Sequence, residues 1–244
     1  MLSLKKYVQR LVLPIKKVMV QTASASMSRV IIFDLDGTLL DTLEDIAISA
    51  NFALTTLGFD AQPTYKYRYF VGEGVFKLFE NIFTTNPQNQ ETIHKAVTLF
   101  ESHYTQQFNQ NTKLYDGIRK MLSFLQKRGF KLAILSNKPD SFTKLCAIKY
   151  LREWKFDVVY GAREGVPRKP HPKGALDIVE LLGVKPEECY YLGDTMIDMQ
   201  TANSAGMIAL GALWGFREEA ELREHGAQYV MKTPSEVIKL LAEV

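Results

Sequence analysis

Arg29-Val30-Ile31-Ile32-Phe33-Asp34-Leu35-Asp36-Gly37-Thr38 joins a short apolar, largely β-branched run to two acids and a glycine. Such a run predicts a strand covered on both faces, as in a parallel sheet flanked by helices. Side chains alternate along a strand, so Asp34 and Asp36 begin on the same side before Gly37 lets the backbone turn. Open parallel sheets carry their sites at the carboxyl ends of strands, where this pair falls. Two close carboxylates repel unless a cation joins them or one keeps a proton. Either outcome is useful: Asp34 can coordinate magnesium and attack phosphorus, while Asp36 can give and take a proton. The competing account is a solvated acidic turn, since Asp-Gly is a common turn dipeptide.

Downstream, Leu43, Ile46, Ala47, Ala50, Leu54 and Leu57 recur at helical spacing, with Gly58 as a stop. Residues from about 42 to 112 read as helices with no strand between them. After that the rhythm changes. Ile118, Met121, Leu122 and Leu125 predict a helix closed by Gly129, and Gly174 to Leu182 predicts another. Strands are expected over Phe130–Leu135, Phe156–Tyr160, Cys189–Leu192, Met207–Leu213 and Gln228–Met231. Strands separated by helices predict an α/β fold, a doubly wound parallel sheet with a Rossmann-like core. The expected organisation is a basic tail over 1–28, a core over 29–41 and 113–244, and an inserted helical cap over 42–112.

Three further segments offer what a carboxylate nucleophile needs. Ser136-Asn137 follows Ile134-Leu135, so a hydroxyl and backbone N–H groups could hold phosphate oxygens, although a plain turn or helix cap has the same look. Lys169 lies in Arg168-Lys169-Pro170-His171-Pro172, where prolines stiffen the approach of a cation; a lone lysine is otherwise usually solvated. Gly193-Asp194-Thr195-Met196-Ile197-Asp198 follows the strand-like Tyr190-Tyr191-Leu192. Its two acids, four apart, face one way on an opening helical turn. Acids, a hydroxyl and a lysine falling by accident in successive connections of one sheet make a poor joint coincidence.

These four segments, in this order, resemble the motifs of the haloacid dehalogenase superfamily, and the resemblance covers nearly all of residues 29–244. It implies that Asp34 is the nucleophile of an aspartyl-phosphate and that Asp36 is the general acid/base, with a backbone carbonyl on the metal. Ser136 and Asn137 would hold the phosphoryl group, and Lys169 would offset its charge. Asp194 would complete a magnesium site with Asp34 and Asp36, supported by Asp198. The acid at position 36 disfavours carbon–halogen hydrolysis, because the dehalogenases lack one there. Asp41-Thr42, Tyr69 to Val75 and Leu213-Trp214-Gly215 further resemble phosphoglycolate phosphatases. In this reading Thr38, Gly72, Glu73 and Arg68 complete the candidate substrate-binding set, with Arg68 or Lys66 meeting a substrate carboxylate. Similar capped enzymes act on pyrophosphate, sugar phosphates or nucleotides, or pass the phosphoryl group on as mutases. A non-catalytic binding protein on the same fold is the rival from another class.

Composition narrows the rest. Residues 1–29 carry six basic side chains and no acid, leaving 24 basic against 27 acidic in the body. The positive net charge therefore belongs to the tail and gives the body no support for nucleic-acid binding. The tail's apolar runs are too short to span a bilayer; a membrane-surface helix, a targeting segment or residues upstream of a start at Met27 compete for it. Cys146 and Cys189 lie far apart with no Cys/His cluster nearby, which argues against a disulfide framework or zinc site and for a cytoplasmic setting. The expected partner is a small phosphorylated metabolite, met by a monomer or homodimer.

Overall fold

The computed structural model describes residues 29–243. The expectations for residues 1–28 lie outside the described residues. The founding strand, β1 (Val30–Phe33), is buried at every position. Ile31 and Phe33 pack into one apolar cluster while Val30 and Ile32 pack into another on the opposite face. The unbroken apolar run is thus the signature of a strand with helices on both sides, each side chain gaining about 1.5–3 kcal/mol from burial.

β1 sits inside a six-stranded parallel sheet. β4 (Lys131–Pro139) and then β5 (Val158–Ala162) flank it on one side, and β6 (Cys189–Gly193), β7 (Ile208–Ala212) and β8 (Tyr229–Met231) follow on the other. The order β5-β4-β1-β6-β7-β8 reverses direction at β1, so the crevice that doubly wound sheets use for ligands opens beside Asp34. Helices α5 (Ile118–Lys127), α6 (Asp140–Tyr150) and α10 (Pro234–Ala242) bury residues on the face of Phe33. Helices α7 (Lys173–Leu182), α8 (Met196–Ser204) and α9 (Glu219–Glu224) cover the face of Ile32.

Two expectations shift. The strand predicted to end at Leu135 runs on to Pro139, and its register against β5 slips between those residues. Ser136 and Asn137 interrupt the apolar pattern because they occupy a bulge, which re-aims side chains at a strand end. Helix α6 went unread because Leu145 and Ile148 stand 44% and 69% exposed, spoiling the apolar period that Phe142 and Cys146 begin.

Between β1 and α5 the chain crosses a small antiparallel ribbon, β2 (Leu40–Asp41) against β3 (Lys113–Leu114), with Leu40 opposite Leu114. Four α-helices lie between the two ribbon strands: α1 (Leu43–Thr56), α2 (Thr64–Phe70), α3 (Val75–Ile82) and α4 (Gln90–Gln107). α1 packs along α4, and their apolar side chains share one cluster with the sheet face of Phe33. Buried Asp45 clamps the return, accepting hydrogen bonds from the backbone and side chains of Asn111 and Thr112 at 2.6–2.9 Å. Among the described residues, no helix is long and apolar enough to cross a membrane.

Candidate active site

Asp34 follows β1 directly, its N–H donating to the Leu192 carbonyl of β6 at 2.9 Å. The chain then turns within four residues, with the N–H groups of Leu39 and Leu40 both donating to the Leu35 carbonyl at 3.0 Å. Gly37 makes this turn at φ +89°, and a Cβ there would lie 2.3 Å from Asp194 Oδ2. A side chain at Gly215 would lie 2.3 Å from Asp194 Cβ and 2.4 Å from the Gly37 carbonyl. Glycine at both positions is what lets Asp194 approach the turn. Trp214 seals the contact, its indole N–H donating to the Thr38 carbonyl at 2.9 Å.

Lys169 is the hinge of the charge arrangement. Its Nζ lies 2.8 Å from Asp34 Oδ1 and 2.7 Å from Asp198 Oδ1, and the side chain is almost wholly buried. Asp198 spends its other oxygen on the Thr195 N–H at 3.1 Å and hydroxyl at 2.8 Å, a capping box that opens α8. Asp194 accepts from the Thr38 hydroxyl at 2.7 Å and the Phe216 N–H at 2.8 Å.

Three acids against one lysine leave an excess of buried negative charge. Burial pushes the Asp34 carboxyl from its ordinary 3.8 up to about 7; Lys169 pulls it down, while Asp198 and Asp36 push it further up. Burial also holds Asp194 well above the carboxylate range, helped by Asp198 and Asp34. Burial works against the charge on Lys169, yet Asp198 and Asp34 keep its pKa well above an ordinary lysine's. Asp34, Asp194 and Asp198 can each point one oxygen into a cluster whose members lie within 4.8 Å of one another. An all-carboxylate set carrying uncompensated charge suits a hard divalent cation such as magnesium. The residues present therefore fit the expected metal, Asp34 and Asp194 most directly, since Asp198 already accepts three hydrogen bonds.

The other sequence-predicted residues divide into two groups. Asp34, Asp36, Ser136, Asn137 and Gly72 line one cavity between the strand ends and helices α1, α3 and α4. Thr38 lies outside the cavity wall, fully buried, with its hydroxyl given to Asp194. Asn137 is a strut: its amide donates to the Gly72 carbonyl at 3.0 Å and the Lys169 carbonyl at 2.9 Å, and its Oδ1 accepts the Lys169 N–H at 2.9 Å. With its amide fully engaged, the Asn137 side chain has no donor left for a phosphate. Arg68 turns to the loop after β7, donating to the Phe216 carbonyl at 2.8 Å and the Gly215 carbonyl at 3.2 Å, and is not part of the cavity wall. Glu73 lines a neighbouring groove with Tyr69 and Arg217.

Two residues that sequence reasoning passed over stand in the wall itself. Lys138 Nζ is 3.1 Å from both oxygens of Asp36 and 2.9 Å from the Tyr104 hydroxyl of α4. A lysine two places beyond Ser136 was a weak signal, because most lysines are solvated; this one is 9% exposed. Tyr104 carried only the helical period of a core aromatic.

The family model described as haloacid dehalogenase-like hydrolase matches residues 31–212. A phosphoglycolate phosphatase of Aquifex aeolicus (strain VF5) is 32% identical over 213 residues, covering 87% of this chain and 96% of that protein. One from Nitrosospira multiformis is 30% identical over 217 residues, covering 87% and 95%. A crystal structure from Lactobacillus delbrueckii subsp. bulgaricus superposes with a TM-score of 0.83 at 27% identity, covering 88% of this chain and 98% of that one.

Proposed function

The chain belongs to the haloacid dehalogenase-like hydrolase family, and from that premise we propose that it is a magnesium-dependent phosphatase of a small phosphate monoester, with 2-phosphoglycolate the first candidate. The observation that carries the reading is the position of Asp34. It stands at the switch point of the sheet, lines the cavity, and has one oxygen held by Lys169 while Oδ2 accepts no hydrogen bond from the described residues. A carboxylate fixed at one oxygen and open at the other is posed as a nucleophile.

In this mechanism Asp34 attacks phosphorus, forming an aspartyl-phosphate as the ester oxygen leaves. Asp36 supplies the proton that the leaving oxygen needs. It then takes a proton from the water that attacks the aspartyl-phosphate, releasing inorganic phosphate and regenerating both acids. Lys169 offsets charge on Asp34 and the transferring group, and Asp198 keeps that lysine in place. The Ser136 hydroxyl offers a donor to a phosphoryl oxygen. Asp34 and Asp194 would hold the magnesium ion, which would supply neutralisation of phosphate charge. Residues 42–112 act as a cap that keeps bulk water from the site during transfer. Names carried by the relatives point to 2-phosphoglycolate, a two-carbon acid small enough for an enclosed site.

The test is phosphate release from a panel of small esters, with magnesium and with EDTA, for the wild type and Asp34→Asn. Magnesium-dependent release led by 2-phosphoglycolate and abolished by the substitution supports the whole reading. Release led by another ester keeps the chemistry and replaces the substrate, while isomerised product without free phosphate replaces the phosphatase by a mutase.

A further inference from the structure

We propose that Lys138 and Tyr104 form a binding site for a second anionic group on the substrate, a carboxylate carried by the leaving group, and thereby set specificity. This rests on the phosphatase reading above and names the residues that would choose its substrate.

The cavity wall contributed by α1, α3 and α4 is apolar, presenting Ile46, Val75, Leu78 and Phe100. Against it, Tyr104 is the one polar side chain from those helices, and Lys138 is the one cation in the wall among the described residues. Away from Asp34 and Ser136, at the end of the cavity walled by these helices, an anion would be desolvated without compensation unless it met this pair. Lys138 is held for the purpose. Both Asp36 oxygens stand 3.1 Å from its Nζ and can share one N–H, and the Tyr104 hydroxyl at 2.9 Å takes a second, which leaves the third for a ligand. Tyr104 is 1% exposed, stacked on Phe100 at 5.3 Å and edge-on to Phe142 at 5.2 Å, so its hydroxyl has little freedom. That hydroxyl accepts from Lys138, and its own proton meets no acceptor among the described residues. A carboxylate oxygen would supply one.

Position follows from Asp36. A side chain that protonates the leaving oxygen must lie against that oxygen, and Lys138 Nζ is 3.1 Å from the same carboxylate. A charged group two bonds beyond the ester oxygen therefore falls within reach of the ammonium and the phenol. The carboxylate of 2-phosphoglycolate is two bonds beyond; an uncharged analogue of equal length has nothing to offer there.

The experiment compares kcat/KM for 2-phosphoglycolate and 2-hydroxyethyl phosphate, with magnesium, in wild type, Lys138→Met, Lys138→Arg and Tyr104→Phe. The wild type should favour the acid at least about tenfold, and Lys138→Met should reduce that preference about 10- to 100-fold through KM, as loss of a charge-assisted hydrogen bond does. Tyr104→Phe, which keeps the stacked ring and so the fold, should reduce it about three- to tenfold. Lys138→Arg should restore most of the preference. An unchanged preference in both Lys138→Met and Tyr104→Phe overturns the proposal; should Lys138→Met fail to fold, Tyr104→Phe alone decides. A wild type that favours the neutral ester also overturns it while leaving the phosphatase standing. Release from neither ester removes both.

Discussion

Replacing Asp34 by Asn keeps the shape of the side chain and deletes its charge, so it should abolish turnover and yet stabilise the metal-free protein. Burial sets the sign: it pushes Asp34 from 3.8 to about 7 even with Lys169 pulling the other way. A carboxyl raised in the folded state binds more protons there than in the unfolded chain. Its favourable contribution is complete below the unfolded value and is lost as pH rises through about 7. A gap of about three units corresponds to about 4 kcal/mol, a ceiling that denatured-state structure and relaxation of the site bring down to about 1–2. At about 2–4 °C per kcal/mol for a chain of this size, Asp34→Asn should melt about 2–8 °C higher than wild type at about pH 8 in EDTA. The difference should shrink toward about pH 5, where the native acid already carries its proton. Thermal unfolding followed by circular dichroism at both pH values, with and without magnesium, measures this, and added magnesium should raise the wild type more than the variant. A variant that melts no higher than wild type at the upper pH, or a difference independent of pH, would refute the account of Asp34 as a buried, under-compensated charge.

Thr38→Val removes the 2.7 Å hydrogen bond that orients Asp194, and the magnesium concentration for half-maximal activity should rise about tenfold. Gly215→Ala would set a Cβ 2.4 Å from the Gly37 carbonyl. Backbone must move, so a urea titration should show a loss of about 1–3 kcal/mol together with weaker magnesium activation. Asp45→Asn replaces one accepting oxygen with an NH2 donor that would face the N–H and hydroxyl donors of Asn111 or Thr112; stability in urea should fall by about 2–3 kcal/mol while activity per folded molecule holds.

Much of the fold was legible because its signals are local. Val30 to Phe33 declares a strand covered on both faces within four residues, and the alternation of strands and helices after residue 112 fixes the winding of the sheet. The acids at 34, 36, 194 and 198 could be picked out because Asp34 and Asp194 directly follow strands, Asp36 lies in the turn after the first of them, and Asp198 opens a helix. What could not be read was how polar side chains pair across long separations. Thr38 faces Asp194, Arg68 faces Gly215 and Phe216, and Asn137 bridges Gly72 to Lys169. Each looked like a free donor in sequence, and each is used as a tie in the structure. Lys138 failed for the opposite reason, since nothing short of its burial against Asp36 and Tyr104 separates it from a solvated lysine.

The ribbon of β2 and β3 has a consequence for how such a protein can change over time. The polypeptide leaves the sheet-bearing part at Asp41 and returns at Lys113 as its direct neighbour, through a doorway two residue pairs wide. Because the two ends already lie side by side, a segment of another length or shape can be exchanged behind that doorway with little new closure entropy. Asp34 and Lys169, held by strands and loops on the near side, keep their places through such an exchange. On the function proposed above, the groups that transfer the phosphoryl and those that choose its donor could thus be inherited separately, meeting where Lys138 of the sheet touches Tyr104 of the insert.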